Sequence, residues 1–327
     1  MLSVITEIKT DVAEKGVTMK SFIITVDTEG DNLWNWKEGN PITTENTNYI
    51  PRFQMLCEKY GLKPTYLTNR EMALDREWVK YGSHKAQQGL CEIGMHIHAW
   101  NTLPMYTLEN RYGGNSYITE YPDEVIYQKL KWITEFLQDR FEMPMKSARS
   151  GRWATNAVYF SSLTELGYIG DCSMTPGFNL STIPGYSMNV GNDYRHVPYK
   201  THMLPNGIVE VPMTTRCLHH LPKGSIRHKL GALLKGDHLW LRPIRKSLYD
   251  LQFLSHVVQK EGEDYLEFMV HSAELMPGGS PYFKTKEDIE LMYSIMDKYF
   301  QQIVATGYTG VTLSEYICAW KAGKNVR

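Results

Sequence analysis

Short apolar runs rich in β-branched residues alternate along the chain with longer segments of helical period. Ser21–Asp27 (SFIITVD), Pro64–Leu67 (PTYL), Cys91–His98 (CEIGMHIH), Lys146–Arg149, Tyr168–Cys172, Val209–Pro212, Leu266–His271 (LEFMVH) and Gly310–Leu313 read as strands. Between them, Tyr49–Tyr60, Asp75–Gly89, Tyr121–Phe141, Asn156–Leu166, Arg245–Glu261 and Lys286–Thr306 read as helices, with Gly61, Gly89, Gly167 and Gly307 as stop signals. In the longest, Val125, Ile126, Leu130, Ile133, Phe136 and Leu137 recur near helical spacing. Ser314 is expected to cap a last turn. Repeated βα units predict an α/β fold with a mostly parallel sheet, open or closed into a barrel. No internal repeat is visible.

Length leaves two organisations open. At 327 residues the chain is long enough for about two domains, or for one α/β barrel with inserts. Our reading takes residues 1–18 as an extension ahead of a second methionine, Met19. Residues 19–327 then form a single barrel domain with inserts at 173–208 and 218–243. Lys+Arg 35 against Asp+Glu 36 gives a net charge of -1, which argues against nucleic acid as a partner. The 8 Trp and 21 Tyr suit flat amphipathic surfaces such as sugar rings. Cys57, Cys91, Cys172, Cys217 and Cys318 are odd in number and include no CxxC, so a reducing compartment is expected. The N-terminus shows no apolar stretch after a basic one, and no run approaches the ~20 apolar residues of a membrane span. A cytoplasmic protein without a membrane span is expected.

Candidate chemistry gathers where strands end. Asp27, Glu29, His96, His98, Arg149, Asp171 and His271 all stand at or just past a strand's C-terminal end, the face that carries active sites in α/β barrels. Asp27 and Glu29 are two apart and so share a side in extended chain. Two such carboxylates need a cation or an arginine to stay ionised together, which fits one as metal ligand and one as base. His96 and His98 repeat that geometry, and imidazole with carboxylate suits Zn²⁺ and its neighbours. His271 suits general acid work near neutral pH. Arg149 or Arg152 is placed to pair with Asp27. His219 and His220 are adjacent, diverge, and read as surface or substrate-loop residues.

In chain order, ITVDTEGD, EIGMHIHAW, ARSGRW, YIGDCSMTP and FMVHSAELMPGG resemble the successive motifs of the polysaccharide deacetylases, the NodB-homology or carbohydrate esterase family 4 group. The first motif is similar to the Asp-x-Glu variant of WalW-type proteins. The resemblance spans about Met19 to Ile317 and implies a distorted (β/α)7 barrel that removes acetyl from an N-acetylated sugar with one divalent metal ion, zinc in the first instance. It implies Asp27 as catalytic base, Glu29 and His96 as metal ligands, Arg149 as the residue that holds the base, and His271 as catalytic acid. Thr28 separates two acids that are usually adjacent. Trp100 stands where the usual His-x-x-x-His motif has its second histidine, so His98 is taken as the third ligand on geometry. Trp34, Trp36, Trp100 and Trp153 lie in motif-adjacent loops and, with Asp171, are candidate contacts for an acetylated carbohydrate. The same residues would serve an O-acetyl esterase or a cyclic-amide hydrolase, and a metal-free barrel would only bind glycan.

Overall fold

The computed structural model describes residues 20–37, 39–109, 115–187, 191–217 and 238–324. The expected extension, residues 1–18, lies outside the described residues, as do His219, His220 and most of the second expected insert. Strand β1 (Lys20–Thr28) has eight buried residues of nine and sits at the centre of the sheet. Strand β10 (Tyr265–His271) runs along one of its edges. On the other edge, β11 (Tyr308–Val311) takes the first half and β2 (Pro64–Thr68) the second. From β2 the sheet continues in parallel through β3 (Glu92–Ile97), β4 (Ser147–Ser150), β5 (Gly170–Asp171) and β7 (Val209–Glu210). Strand β6 (His202–Met203) pairs antiparallel at the far edge.

Seven parallel strands in the order β10-β1-β2-β3-β4-β5-β7 form the distorted (β/α)7 barrel that the motifs implied. The gap from β7 round to β10 is bridged by irregular chain. Tyr265 Oη donates to Pro212 O (2.7 Å), Glu267 N–H to Thr214 Oγ1 (2.9 Å) and Met269 N–H to Leu241 O (3.1 Å). Strands β8 (Thr215–Cys217) and β9 (His238–Trp240) pair antiparallel beside this bridge, β9 within the second expected insert.

The helices are α1 (Ile50–Lys59), α2 (Arg70–Leu74), α3 (Arg76–Gln87), α4 (Asp123–Phe141), α5 (Ala157–Glu165), α6 (Leu248–Lys260), α7 (Lys286–Ala305) and α8 (Leu313–Lys324). Gly61 and Gly307, at φ +64° and +87°, follow α1 and α7 as the stop signals require. Alternation along β1 divides its side chains between two cores. Phe22, Ile24 and Val26 face outward into the helix layer, where Phe22 meets Tyr299 and Phe300 of α7 edge-on at 6.0 and 5.8 Å. Ile23 faces inward, with Leu67, Cys172, Val209 and Val211.

The inward cluster is sealed at the strands' N-terminal end by α8, through Leu313, Tyr316 and Ile317. The first turn of α8 is tied to the barrel: Leu313 N–H donates to Thr65 Oγ1 (2.9 Å) and Ser314 N–H to Glu92 Oε2 (2.9 Å). The expected last turn is thus a full helix. Its cap is Thr312, which accepts from Glu315 N–H (3.2 Å) while Glu315 Oε2 accepts from Thr312 N–H (2.9 Å), a reciprocal box that displaces the expected Ser314. With one end plugged, polar chemistry is confined to the other.

Candidate active site

Register places the key residues on one inner surface. Asp27 is the partner of His271 across β1 and β10, and His96 is the partner of Arg149 across β3 and β4. All four are buried, as are Glu29 and His98 just beyond their strands. Glu29, His96 and His98 offer ligand atoms within 4.8 Å of one another. Glu29 Oε2 lies 3.0 Å from His98 Nε2 and 3.5 Å from His96 Nε2, and the two Nε2 atoms are 3.1 Å apart. Ligands at about 2.1 Å from a tetrahedral ion stand about 3.4 Å from one another, so this triangle is of the right size.

Tautomers support the same reading. His96 Nδ1 faces Arg149 O at 3.0 Å and donates to it, because a carbonyl only accepts. His98 Nδ1 lies 3.6 Å from Glu71 Oε1. Each neutral ring then aims its Nε2 lone pair inward, at the other lone pair and at a carboxylate. A proton on His98 or a divalent cation resolves that repulsion, and the residues present fit the cation. Outer carboxylates or carbonyls of this kind orient metal-binding histidines generally. Without an ion, burial pulls the His98 imidazolium down but Glu29 and Glu71 outweigh it and raise the group to about 9. Glu29 in turn is pushed up by burial, yet His96 and His98 hold it well below the usual carboxylate range.

Glu29 is fixed through its backbone. Its N–H donates to Ser272 Oγ (3.0 Å), and its carbonyl accepts from Ser272 Oγ (3.0 Å) and Asn46 Nδ2 (2.7 Å). Close approach of β4 to β3 depends on Gly151, where a Cβ would sit 2.5 Å from Ile97 O and 2.7 Å from His98 Cδ2. The next two residues, Arg152 and Trp153, are left-handed at φ +56° and +55°, a conformation that side chains adopt at a cost and that collects near functional sites.

Arg149 is fully buried and donates to four acceptors. Nη1 meets Asp27 Oδ1 at 2.6 Å, Nε meets Cys172 O at 3.0 Å, and Nη2 meets Thr25 Oγ1 at 3.0 Å and Glu267 Oε1 at 2.5 Å. Burial raises the carboxyl of Asp27, but the Arg149 guanidinium overrides it and holds Asp27 below its ordinary 3.8. Arg152 takes no part. It donates to Asn115 O and Pro184 O and lies on the Tyr117 ring, joining two loops.

His271 closes the cluster from β10. Its Nε2 lies 3.7 Å from Asp27 Oδ2 and 3.9 Å from Glu29 Oε1. Behind it, Arg242 Nη2 is 2.8 Å from Nδ1 and 2.7 Å from Glu274 Oε1, and Glu274 Oε1 is 3.6 Å from Nδ1. Burial and Arg242 lower the imidazolium, and Glu274 and Glu29 raise it, with a net rise above 6.5.

Asp171 does not join this group. It is the register partner of Ala148, which faces the helix layer, so its carboxylate points away from the barrel axis. There it accepts from Tyr159 Oη of α5 (2.8 Å) and lies beside its own partner Glu210. Burial pushes both carboxyls up. The strand-end rule found the level of Asp171 but not its side. Trp153 packs edge-on against Trp240 at 5.2 Å, whereas Trp34, Trp36 and Trp100 line a cleft of about 940 Å³ next to the cluster. Trp100 stacks on His98 (4.3 Å, 18°), and Trp34 stands edge-on to His271 (5.4 Å). Trp100, at the position of the usual motif's second histidine, covers a candidate ligand. Glu71, Arg242, Glu267 and Glu274 were missed by sequence reasoning. Only Glu274 left a signal, three residues after His271 in a quoted motif.

No protein-family model matches the sequence, and no curated protein matches it significantly. Solved structures do. A Mycobacterium smegmatis protein assigned as a polysaccharide deacetylase aligns over 93% of this chain and 92% of its own, at 12% identity and a TM-score of 0.56. The Xyl-CE4 domain of a multidomain xylanase from the hindgut metagenome of Trinervitermes trinervoides aligns over 93% and 92%, at 12% identity and a TM-score of 0.44. A family 4 carbohydrate esterase from Streptomyces lividans, in complex with acetate, aligns over 89% and 91%, at 10% identity and a TM-score of 0.42. The chain adopts the fold of the NodB-type polysaccharide deacetylases.

Proposed function

We propose that the chain is a metal-dependent deacetylase that removes acetyl from an N-acetylated sugar. The observation that carries this reading is the convergence of a Glu-His-His triangle, an arginine-held aspartate and a histidine on one inner surface. The polysaccharide-deacetylase assignment of the Mycobacterium smegmatis protein that shares the fold supports it. Glu29, His96 and His98 hold the ion. When bound, a divalent ion polarises an acetyl carbonyl and makes hydroxide available near neutral pH.

The other roles belong to this chain's side chains. Asp27, ionised beside Arg149, takes the proton of the attacking water as the oxygen bonds to the acetyl carbon. His271, across the site, gives a proton to the nitrogen as the C–N bond breaks. The products are acetate and a free amine. Trp100 and Trp34 cover the two histidines and present apolar faces to a sugar ring. The test is acetate release from a panel of N-acetylated sugars, O-acetylated sugars, nucleotide sugars and carrier-linked glycans, before and after chelation. Release that ignores chelation, or from O-acetyl esters alone, overturns the reading.

A further inference from the structure

The cleft beside the cluster has an uneven electrostatic character. Its lining includes Arg70 and Lys37 and no Asp or Glu among the described residues, in a protein whose net charge is -1. Arg70 stands two positions after β2, between two residues that face the cluster: Asn69 Nδ2 is 3.4 Å and Glu71 Oε1 3.6 Å from His98 Nδ1. Arg70 itself lines the cleft. Its guanidinium lies over the Trp132 ring at 6.0 Å, and it has no carboxylate partner among the described residues. Three residues that line the cleft each bury a polar atom without a hydrogen-bond partner: Arg70 Nε, Trp100 Nε1 and Asn101 Oδ1. Two of the three are donors. The far wall of the cleft is anchored, because buried Lys129 donates to Thr102 O (2.6 Å) and Pro104 O (2.7 Å) in the loop after Trp100.

An arginine placed on an aromatic face, without an acid and beside a reacting centre, is arranged for a planar or tetrahedral oxyanion. We infer that the cleft binds an anionic group, a carboxylate or a phosphate, on the acetylated sugar or its carrier, with Arg70 as the principal contact and Lys37 at the rim. The inference rests on the deacetylase reading of the neighbouring cluster and adds the substrate's charge to it. Trp34, Trp36 and Trp100 receive the sugar faces, Arg70 takes the anion, and the acetamide falls toward His98 and His271. A like-signed pair of cations with no acid among the described lining residues also concentrates anionic substrate in the cleft at low salt.

Equilibrium binding separates this inference from the catalytic one. The metal-loaded protein is titrated by calorimetry with N-acetylglucosamine, with its 1-phosphate and with the corresponding N-acetylated uronic acid, at low and at high salt. At least one anionic sugar is expected to bind about tenfold or more tightly than the neutral one, with the difference shrinking as salt rises. The uronic acid and phosphate arms say which anion the site takes. Arg70→Gln is expected to abolish the preference, and Arg70→Lys to keep part of it. Equal affinity for neutral and charged sugars in the wild-type protein overturns the inference whatever the variants do. So does a preference that survives Arg70→Gln, which would put the anion on the metal. An Arg70-dependent preference without acetate release from any substrate leaves the anion site standing and overturns the deacetylase reading instead.

Discussion

His96 and His98 face each other through their Nε2 atoms at 3.1 Å, each with its Nδ1 turned to a separate acceptor. With both rings neutral this arrangement opposes two lone pairs beside the Glu29 carboxylate, 3.0 Å from one of them; in the ion-free site a proton on His98 relieves the opposition, and a divalent ion takes that proton's place. We therefore expect protein purified without chelator to carry one divalent ion per chain. Chelation is expected to lower the thermal midpoint, and zinc to restore it. At a free-ion level of 100 times Kd the stabilisation amounts to about 2.7 kcal/mol. His98→Gln should lose most of the metal. Undiminished metal content in that variant would remove His98 from the ligand set.

Glu71 acts at one remove. Its carboxylate faces His98 Nδ1 and is itself held by Asn69 Nδ2 (2.6 Å) and Asn101 Nδ2 (2.9 Å). Glu71→Gln should weaken metal affinity by about 10–100-fold, the usual effect of losing such a partner, while activity at saturating metal stays close to wild type. Competition titration against a chromophoric chelator reads the first quantity and initial rates the second. A loss of rate that excess metal cannot restore would give Glu71 a different role.

Asp27 and Arg149 form the buried ion pair beneath the cluster. Asp27→Asn should leave metal binding largely intact and lower kcat by about 10²–10⁴-fold, as general-base losses do. Because Arg149 depresses the folded-state pKa of Asp27, the pair's stabilisation is present above the unfolded value of about 3.9 and is lost as pH falls through the depressed one. Replacing Arg149 by Met should therefore move the acidic limb of activity to higher pH. Near-normal turnover in metal-loaded Asp27→Asn would mean that another group takes the proton.

The sequence reveals most of this site because its parts lie at strand ends, and strands here announce themselves by β-branched runs followed by polar residues. Asp27, Glu29, His96, His98, Arg149 and His271 all follow from that rule. Asp171 shows its limit. Over the two residues of β5 nothing local tells which face is inner, and pairing with Ala148 turns the carboxylate toward α5. The supporting acids are harder still. Glu267 sits within an apolar strand, 118 positions from the arginine it meets, and only barrel closure brings them together. The length of α8 was hidden because its apolar side, Leu313 to Ile317, follows a strand without a break.

Gly151 offers a steric test of the same geometry. Ala in its place would press a methyl group against Ile97 O and the His98 ring. Overpacking of this kind costs about 1–3 kcal/mol, and here the yielding part is a proposed ligand. Gly151→Ala should fold with a lowered thermal midpoint and bind metal more weakly than wild type. Wild-type affinity in this variant would show that β4 has room to withdraw without disturbing His98.

Behind His271, two charged groups pull its proton in opposite directions. Burial and the Arg242 guanidinium, 2.8 Å from Nδ1, disfavour the imidazolium, while the Glu274 carboxylate, with Glu29 behind it in weight, favours it and prevails, so the group titrates above 6.5. A general acid must be protonated, so the alkaline limb of activity follows this group. A raised folded-state pKa also means that its stabilising contribution is complete below the unfolded value and fades as pH rises through the folded one. Glu274→Gln removes the favourable charge and should shift the alkaline limb to lower pH. Arg242→Met removes the opposing charge and should shift it to higher pH. His271→Ala should cost about 10²–10⁴-fold in kcat, and less on acetyl esters whose leaving group needs no proton. Rates across pH for the three variants, at saturating metal, decide the matter. Shifts of the same sign for Glu274→Gln and Arg242→Met would show that the limb belongs to another group, and His271 would then lose its role as acid.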